Sequence, residues 1–253
     1  MLTRLAKWSD SHPVTRRMRR RLLDAPGVSS AVAALDRRRL RQVESAGATA
    51  ERAKSRWREA PPDRGLTWGD EVSGVPAVLA AQRYGVFAPD HAVLEIGPGY
   101  GRILGAALER GAEFRRYVGL DLSEENVAYL RRTFDDPRLE IVCGDVESAA
   151  FDEPLDAAYS FLTFKHIYPS FAGALTHIAG QLRPGGRVVF DLIEGSREYF
   201  HRDQVTFMRE YTRPEAAGIV ARAGLRLVAI DEVVHAPGRT RMLVVAERPS
   251  PQN

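Results

Sequence analysis

Residues 93–102 read Val-Leu-Glu-Ile-Gly-Pro-Gly-Tyr-Gly-Arg, and they concentrate the groups best placed for chemistry. A carboxylate, Glu95, stands two residues before three glycines at alternate positions, Gly97, Gly99 and Gly101. Glycine lets the main chain take positive φ and lets a ligand touch the backbone with no Cβ in the way. Val93, Leu94 and Ile96 around the acid read as a buried strand, and Ile103 to Glu109 reads as the start of a helix. Such a turn at the carboxyl end of a strand is where open α/β sheets bind nucleotides. Dinucleotide sites space their glycines G-x-G-x-x-G, whereas here the spacing is G-x-G-x-G. A phosphate gains nothing from a carboxylate beside the turn; a ligand bearing an ammonium and a sulfonium does.

Further acids fall at the ends of the following apolar runs. Tyr117–Leu120 ends at Asp121, 20 residues beyond Gly101, and Leu139–Cys143 ends at Gly144-Asp145. An acid at the first place can accept from both hydroxyls of a ribose. One at the second can accept from an exocyclic adenine amine. Either acid alone is more often a helix cap or turn residue; their joint position at successive strand ends is what singles them out.

Strands are predicted at 93–96, 117–120, 139–143, 157–161, 187–193, 225–234 and 242–246. Helices are predicted at 101–110, after Ser123, at 170–182 and at 214–223 behind Thr212 and Pro214. This alternation implies an α/β fold: a seven-stranded, mostly parallel sheet with helices on both faces. The last two runs are joined only by 235–241, so the final strand should be antiparallel. Carboxyl ends of parallel strands meet at one rim, which gathers these acids.

At these points the chain resembles the class I S-adenosylmethionine-dependent methyltransferases, whose first motif reads [DE]-x-G-x-G-x-G. Gly-Leu-Asp-Leu-Ser (119–123), Cys-Gly-Asp-Val (143–146) and Leu-Arg-Pro-Gly-Gly-Arg-Val-Val-Phe (182–190) match its later motifs, and the resemblance covers about residues 90–250. It implies S-adenosyl-L-methionine as cofactor, contacted by Glu95, Gly97, Gly99, Tyr100, Gly101, Asp121, Leu122, Asp145, Val146 and Ser160. It also implies transfer of the sulfonium methyl to a nucleophile. Positioning and exclusion of water supply most of that catalysis, with a base where the acceptor is a hydroxyl.

His166, leaving the fourth strand, is the candidate general base because its free pKa lies near neutrality; the alternative is a histidine bonded to backbone. Asp191, Glu194 and Tyr168 are further candidates to face the acceptor. No His/Asp/Glu group has metal-ligand spacing, so no metal is expected. Tyr-Ser-Phe-Leu (159–162) replaces the Asn/Asp-Pro-Pro-Tyr/Phe of nucleobase amino-methylating relatives. The expected acceptor is therefore a small molecule methylated at oxygen: a sugar, glycan or secondary-metabolite hydroxyl. N- or C-methylation, cofactor binding without turnover, and an NAD-dependent oxidoreductase are the rivals. Residues 194–211, with Tyr199, Phe200, Phe207 and Tyr211, would form the acceptor wall or simply pack.

The 253 residues suit one sizeable core plus an appendage. Residues 1–60 hold 15 Lys/Arg against 6 Asp/Glu, a surplus of 9, whereas the rest of the chain is net −6. Pro61-Pro62 marks a boundary, giving a basic helical extension, 1–62, and a methyltransferase domain, 63–253. The extension reads as two helical stretches, around Val14–Leu22 and Val32–Val43. It is expected to be a lid or a homodimerisation arm. With only Trp8 and Trp57 as aromatics among its charges, nucleic acid is not the expected partner. Cys143, the one cysteine, is expected in the core. No apolar run of membrane-spanning length and no secretory leader is evident, so a cytoplasmic location is expected.

Overall fold

A computed structural model describes residues 26–47, 49–59, 73–201 and 203–251. Two helices, α1 (Pro26–Ser45) and α2 (Thr49–Arg58), precede the body, and α3 (Val75–Arg83) lies against it. The expected helix near Val14–Leu22 lies outside the described residues. α2 was not expected as a separate helix. The body then runs β1 (Ala88–Ile96), α4 (Arg102–Glu109), β2 (Phe114–Asp121), α5 (Glu124–Thr133), β3 (Leu139–Cys143) and β4 (Leu155–Ser160). A 3-10 turn (Phe164–His166) leads to α6 (Ala172–Gln181), β5 (Leu182–Glu194), β6 (Glu198–Phe200), β7 (Phe207–Tyr211), α7 (Arg213–Arg222), β8 (Arg226–Val234) and β9 (Thr240–Glu247).

The strands form one sheet in the order β3-β2-β1-β4-β5, all parallel. β9 then pairs antiparallel with both β5 and β8, as expected of the final strand. The sheet has nine strands rather than seven. The two extra ones are the short hairpin β6–β7, which pairs with the last two residues of β5. They occupy the aromatic segment whose short runs gave no strand period in the sequence.

Alternation along each strand builds two cores. Leu94, Ile96, Val118, Leu120, Phe190 and Val244 share one face with Phe164, Phe171, Leu175 and Ile178. Val93, Tyr117, Tyr159, Val189 and Val245 share the other with Ile103, Leu104, Val127 and Leu130. The predicted caps hold: Ser123 Oγ accepts from Asn126 N at 3.2 Å and Thr212 Oγ1 from Glu215 N at 3.3 Å. Cys143 corrects the sequence reading. It is exposed although it shares the face of buried Ile141, because it is the last residue of the edge strand, where cover from the neighbouring elements ends.

Glu95 belongs to the second face, between the two flanking strands. Its Oε2 accepts from the hydroxyl of Tyr117 on β2 and, at 2.7 Å, from that of Tyr159 on β4. It is 1% exposed, and burial pushes its pKa up to about 7 despite the two tyrosine donors.

Two consequences follow from these cores. Phe171 lies 4.9–5.4 Å, centroid to centroid, from Phe164, Phe190 and Tyr211. Phe171→Ala should cost about 3–5 kcal/mol in urea unfolding. Glu95 titrates near 4.5 when unfolded and near 7 when folded, so the folded chain holds the extra proton between those values. The carboxyl therefore lowers stability as pH rises through that window, by about 3 kcal/mol in all. Glu95→Gln should remove that fall, read as the difference in unfolding free energy between pH 5 and pH 7.5 relative to wild type.

Candidate active site

The strand order reverses between β1 and β4, whose carboxyl ends open the crevice where such sheets hold ligands. The glycine turn lies on that edge. Gly97, at φ +70°, donates to Leu120 O at 2.8 Å; a Cβ there would stand 2.6 Å from Thr163 Oγ1. Gly101, at φ +83°, starts α4, and a Cβ would meet the Phe134 ring at 2.4 Å. Gly99 has φ +60°, and the place of its missing Cβ is open space. Two glycines thus close the turn onto the fold, while the middle one leaves room above the backbone.

Asp121, at the end of β2, receives the turn: Oδ2 accepts from Gly99 N and Oδ1 from Ser123 N, each at 2.9 Å. Burial raises its pKa despite these bonds. Leu122 follows, half-buried, and its carbonyl faces Cys143 Sγ at 3.7 Å. Tyr100 is half-buried on the turn beside Arg102. Asp145, past β3, is a partly exposed carboxylate accepting from Lys54 Nζ at 2.6 Å and, through Oδ1, from Glu147 N at 3.0 Å. Burial alone would raise its pKa; Lys54 and the Glu147 amide hold it below the ordinary range. Val146 packs against the first core.

The structure therefore gathers Gly97–Gly101, Asp121 and Asp145 along one edge but turns two candidates inward. Glu95 lies under the turn with its carboxyl on two tyrosines. Ser160 is fully buried, its Oγ donating to Ile96 O across the strands at 3.1 Å. Both reach the site through the backbone they hold.

His166, the candidate base, is buried against backbone. It is 7% exposed, its Nδ1 donates to Phe207 O at 2.8 Å, and the Trp57 ring lies 4.3 Å away, centroid to centroid. Burial and then the neighbouring Lys165 keep its pKa well below the usual value. The ring is therefore held neutral. The geometry is that of a histidine fixing the β7 edge.

Sequence reasoning missed three groups. Lys54, from α2, bridges Asp145 and Glu147, at 2.6 and 2.8 Å. Asp191, considered only as an acceptor-facing group, is 2% exposed and accepts from Leu162 N at 2.5 Å and from His235 Nε2 at 2.8 Å. Leu162 has φ +63°, a conformation costing about 1–3 kcal/mol for a branched side chain, and the Asp191 carboxylate holds it there. Lys165, next to His166, is 9% exposed. Partnerships across tens of residues left no local pattern to find. Glu194, the other acid considered there, pairs with Arg213 at 2.9 Å. Among the described residues no group of three or more His, Cys, Asp or Glu could hold a metal, and no helix is long and apolar enough to cross a membrane.

Residues 94–190 match the family described as methyltransferase domain. The chain is 38% identical over 101 residues to a fatty-acid O-methyltransferase of Mycolicibacterium smegmatis, covering 39% of this chain and 35% of that protein. It is 34% identical over 108 residues to phthiotriol/phenolphthiotriol dimycocerosates methyltransferase 1 of Mycobacterium ulcerans, covering 42% and 39%. The chain thus spans little more than a third of these relatives. Burkholderia thailandensis 1,6-didemethyltoxoflavin-N1-methyltransferase, solved with S-adenosylhomocysteine, superposes with a TM-score of 0.59 at 25% identity, covering 72% and 81% of the two chains. The putative methyltransferase of Haloferax volcanii superposes with a TM-score of 0.61 at 20% identity over 73% and 92%, which speaks for the fold alone. Glycine turn, strand order and sequence match agree: residues 94–190 match a methyltransferase domain, and the chain has the fold of the class I S-adenosylmethionine-dependent methyltransferases.

Proposed function

We propose that this protein transfers a methyl group from S-adenosyl-L-methionine to an oxygen of a small-molecule or lipid acceptor. The rim formed by Gly99, Asp121 and Asp145 carries the reading. It offers open space over the middle glycine and a carboxylate at each of the next two strand ends. That donor set fits a cationic nucleoside: carboxylates for ribose hydroxyls and an exocyclic amine, open backbone beside them. The cofactor, when bound, supplies a methyl group on positively charged sulfur. The chain's own residues then have three tasks. Asp121 would accept from the ribose while keeping Gly99 in place. Asp145 would accept from the adenine amine. Glu95, protonated or not, holds Tyr117 and Tyr159 and so fixes the turn from beneath.

Acceptor oxygen is favoured by the similarity to a fatty-acid O-methyltransferase, which also shifts the acceptor class from sugars toward lipids. The basic extension serves as a cover in this reading. α1 and α2 pack Val43 and Ala53 against Phe200 and Phe207 of the β6–β7 hairpin. Asp36 pairs with Arg197 at 2.8 Å, Glu44 accepts from Tyr168 at 3.0 Å, and Lys54 reaches Asp145. These contacts lay the cover along the rim and screen it from water, which strengthens every charge interaction beneath.

Calorimetry checks the cofactor first. S-adenosylhomocysteine should bind and NAD should not; the reverse would make the protein an oxidoreductase candidate. Asp121→Ala should weaken S-adenosylhomocysteine binding by about 1–3 kcal/mol, roughly 5- to 150-fold; unchanged affinity would remove Asp121 from the ribose role.

A further inference from the structure

Lys165 is the buried charge that the cofactor rim does not use. It lies on the 3-10 turn after β4, 9% exposed. Among the described residues its ammonium makes neither a hydrogen bond nor an ion pair. The charged groups facing it are Asp191 on β5, Arg239 in the loop between β8 and β9, Arg241 at the start of β9, and Arg102 at the start of α4. Asp191 is the one carboxylate of the group, and its oxygens are taken by Leu162 N and His235 Nε2. The three arginines have further contacts of their own. Lys165 is thus a cation without a partner, among other cations, on the rim that also carries the glycine turn.

A charge in that position is costly unless something compensates it. Its amine is held near pH 7, first by burial and then by Arg241, Arg239 and Arg102, with Asp191 opposing. A hydroxyl entering there leaves the imbalance of charge as it is. An anion removes it.

We infer that Lys165 is the binding group for an acceptor carboxylate, and that this carboxylate is the oxygen nucleophile. The inference rests on the methyl-transfer reading and names its acceptor class. A carboxylate oxygen donates its lone pair to the methyl carbon; the carbon–sulfur bond breaks and its electron pair stays on sulfur. The products are a methyl ester and a neutral thioether, and no proton has to be removed. That agrees with a site in which the one histidine expected to act as base is buried against backbone. The ester carries no charge, so it loses the attraction that held the acid, and release follows from the chemistry itself.

The test uses the full chain loaded with S-adenosylhomocysteine, with octanoate and octan-1-ol as probes that differ in the charged head. Isothermal titration should show octanoate binding and octan-1-ol binding at least tenfold more weakly. Lys165→Gln should weaken octanoate binding by about 10- to 100-fold, the range for a lost hydrogen bond to a charged group, with octan-1-ol unchanged. Lys165→Arg should retain most of the octanoate affinity. S-adenosylhomocysteine affinity should stay the same in all three proteins. Lys165→Gln should also melt no lower than wild type, since it removes an uncompensated buried charge; that result separates loss of the subsite from loss of the fold. Octanoate bound no tighter than octan-1-ol, or unaffected by Lys165→Gln, overturns the inference. So does methyl octyl ether as the product when octan-1-ol is incubated with S-adenosyl-L-methionine in place of S-adenosylhomocysteine, with turnover falling in Lys165→Gln, which would make Lys165 a base. Failure of wild type to bind S-adenosylhomocysteine would instead sink the underlying methyl-transfer reading.

Discussion

A single buried carboxyl group ties the centre of the sheet together. Glu95 accepts from tyrosines on both neighbouring strands, so β2, β1 and β4 are cross-linked two residues before the first glycine of the turn. Hydrogen bonds to a buried acid are worth more than those at a surface, and an acid left without them is expensive. The turn therefore starts from a fixed base. From there, Gly97 is braced by Leu120 O and by the closeness of Thr163, and Gly101 by Phe134 and Leu130. Gly99, bonded only to Asp121 through its amide, is left to face the opening.

The same economy recurs at the other strand ends. Asp121 fastens the turn to the start of α5, and Asp191 fastens the loop after β4 to the loop after β8. Each carboxylate uses both of its oxygens to hold backbone amides or a histidine in place at the rim. Rigid scaffolds make such groups useful, because a ligand then meets oxygen atoms already in place and does not have to order them.

Much of this was legible in the chain. The glycine turn, the acids at 121 and 145, the order of strands and helices and the antiparallel end all followed from period, spacing and turn residues. The direction of each side chain did not. Glu95 stands on a strand buried on both faces, where alternation gives no sign of which side is wet. Its partners, Tyr117 and Tyr159, are 22 and 64 residues away. The β6–β7 hairpin hid because its strands are three and five residues long. Cys143 was misplaced because the last residue of an edge strand has the same apolar neighbours in sequence as a buried one. Lys54 and Lys165 were invisible for a plainer reason: a single lysine carries no periodicity, and what each one faces is decided by segments far along the chain.

Charge distribution links the two ends of the rim. At the β3 end, two carboxylates, Asp145 and Glu147, meet one lysine from the cover. At the β5 end, Lys165 meets one engaged carboxylate and three arginines, with Glu194, Glu210 and Glu232 lying around Arg241. The edge thus offers carboxylates where a cationic nucleoside would lie and the Lys165 ammonium where its reaction partner would enter. A sulfonium donor and a carboxylate acceptor would each be drawn to its own half and kept from the other. When the methyl group passes between them, both charges vanish together. A polarised rim of this kind favours the two reactants over the two neutral products, so it can bind firmly before the transfer and let go after it.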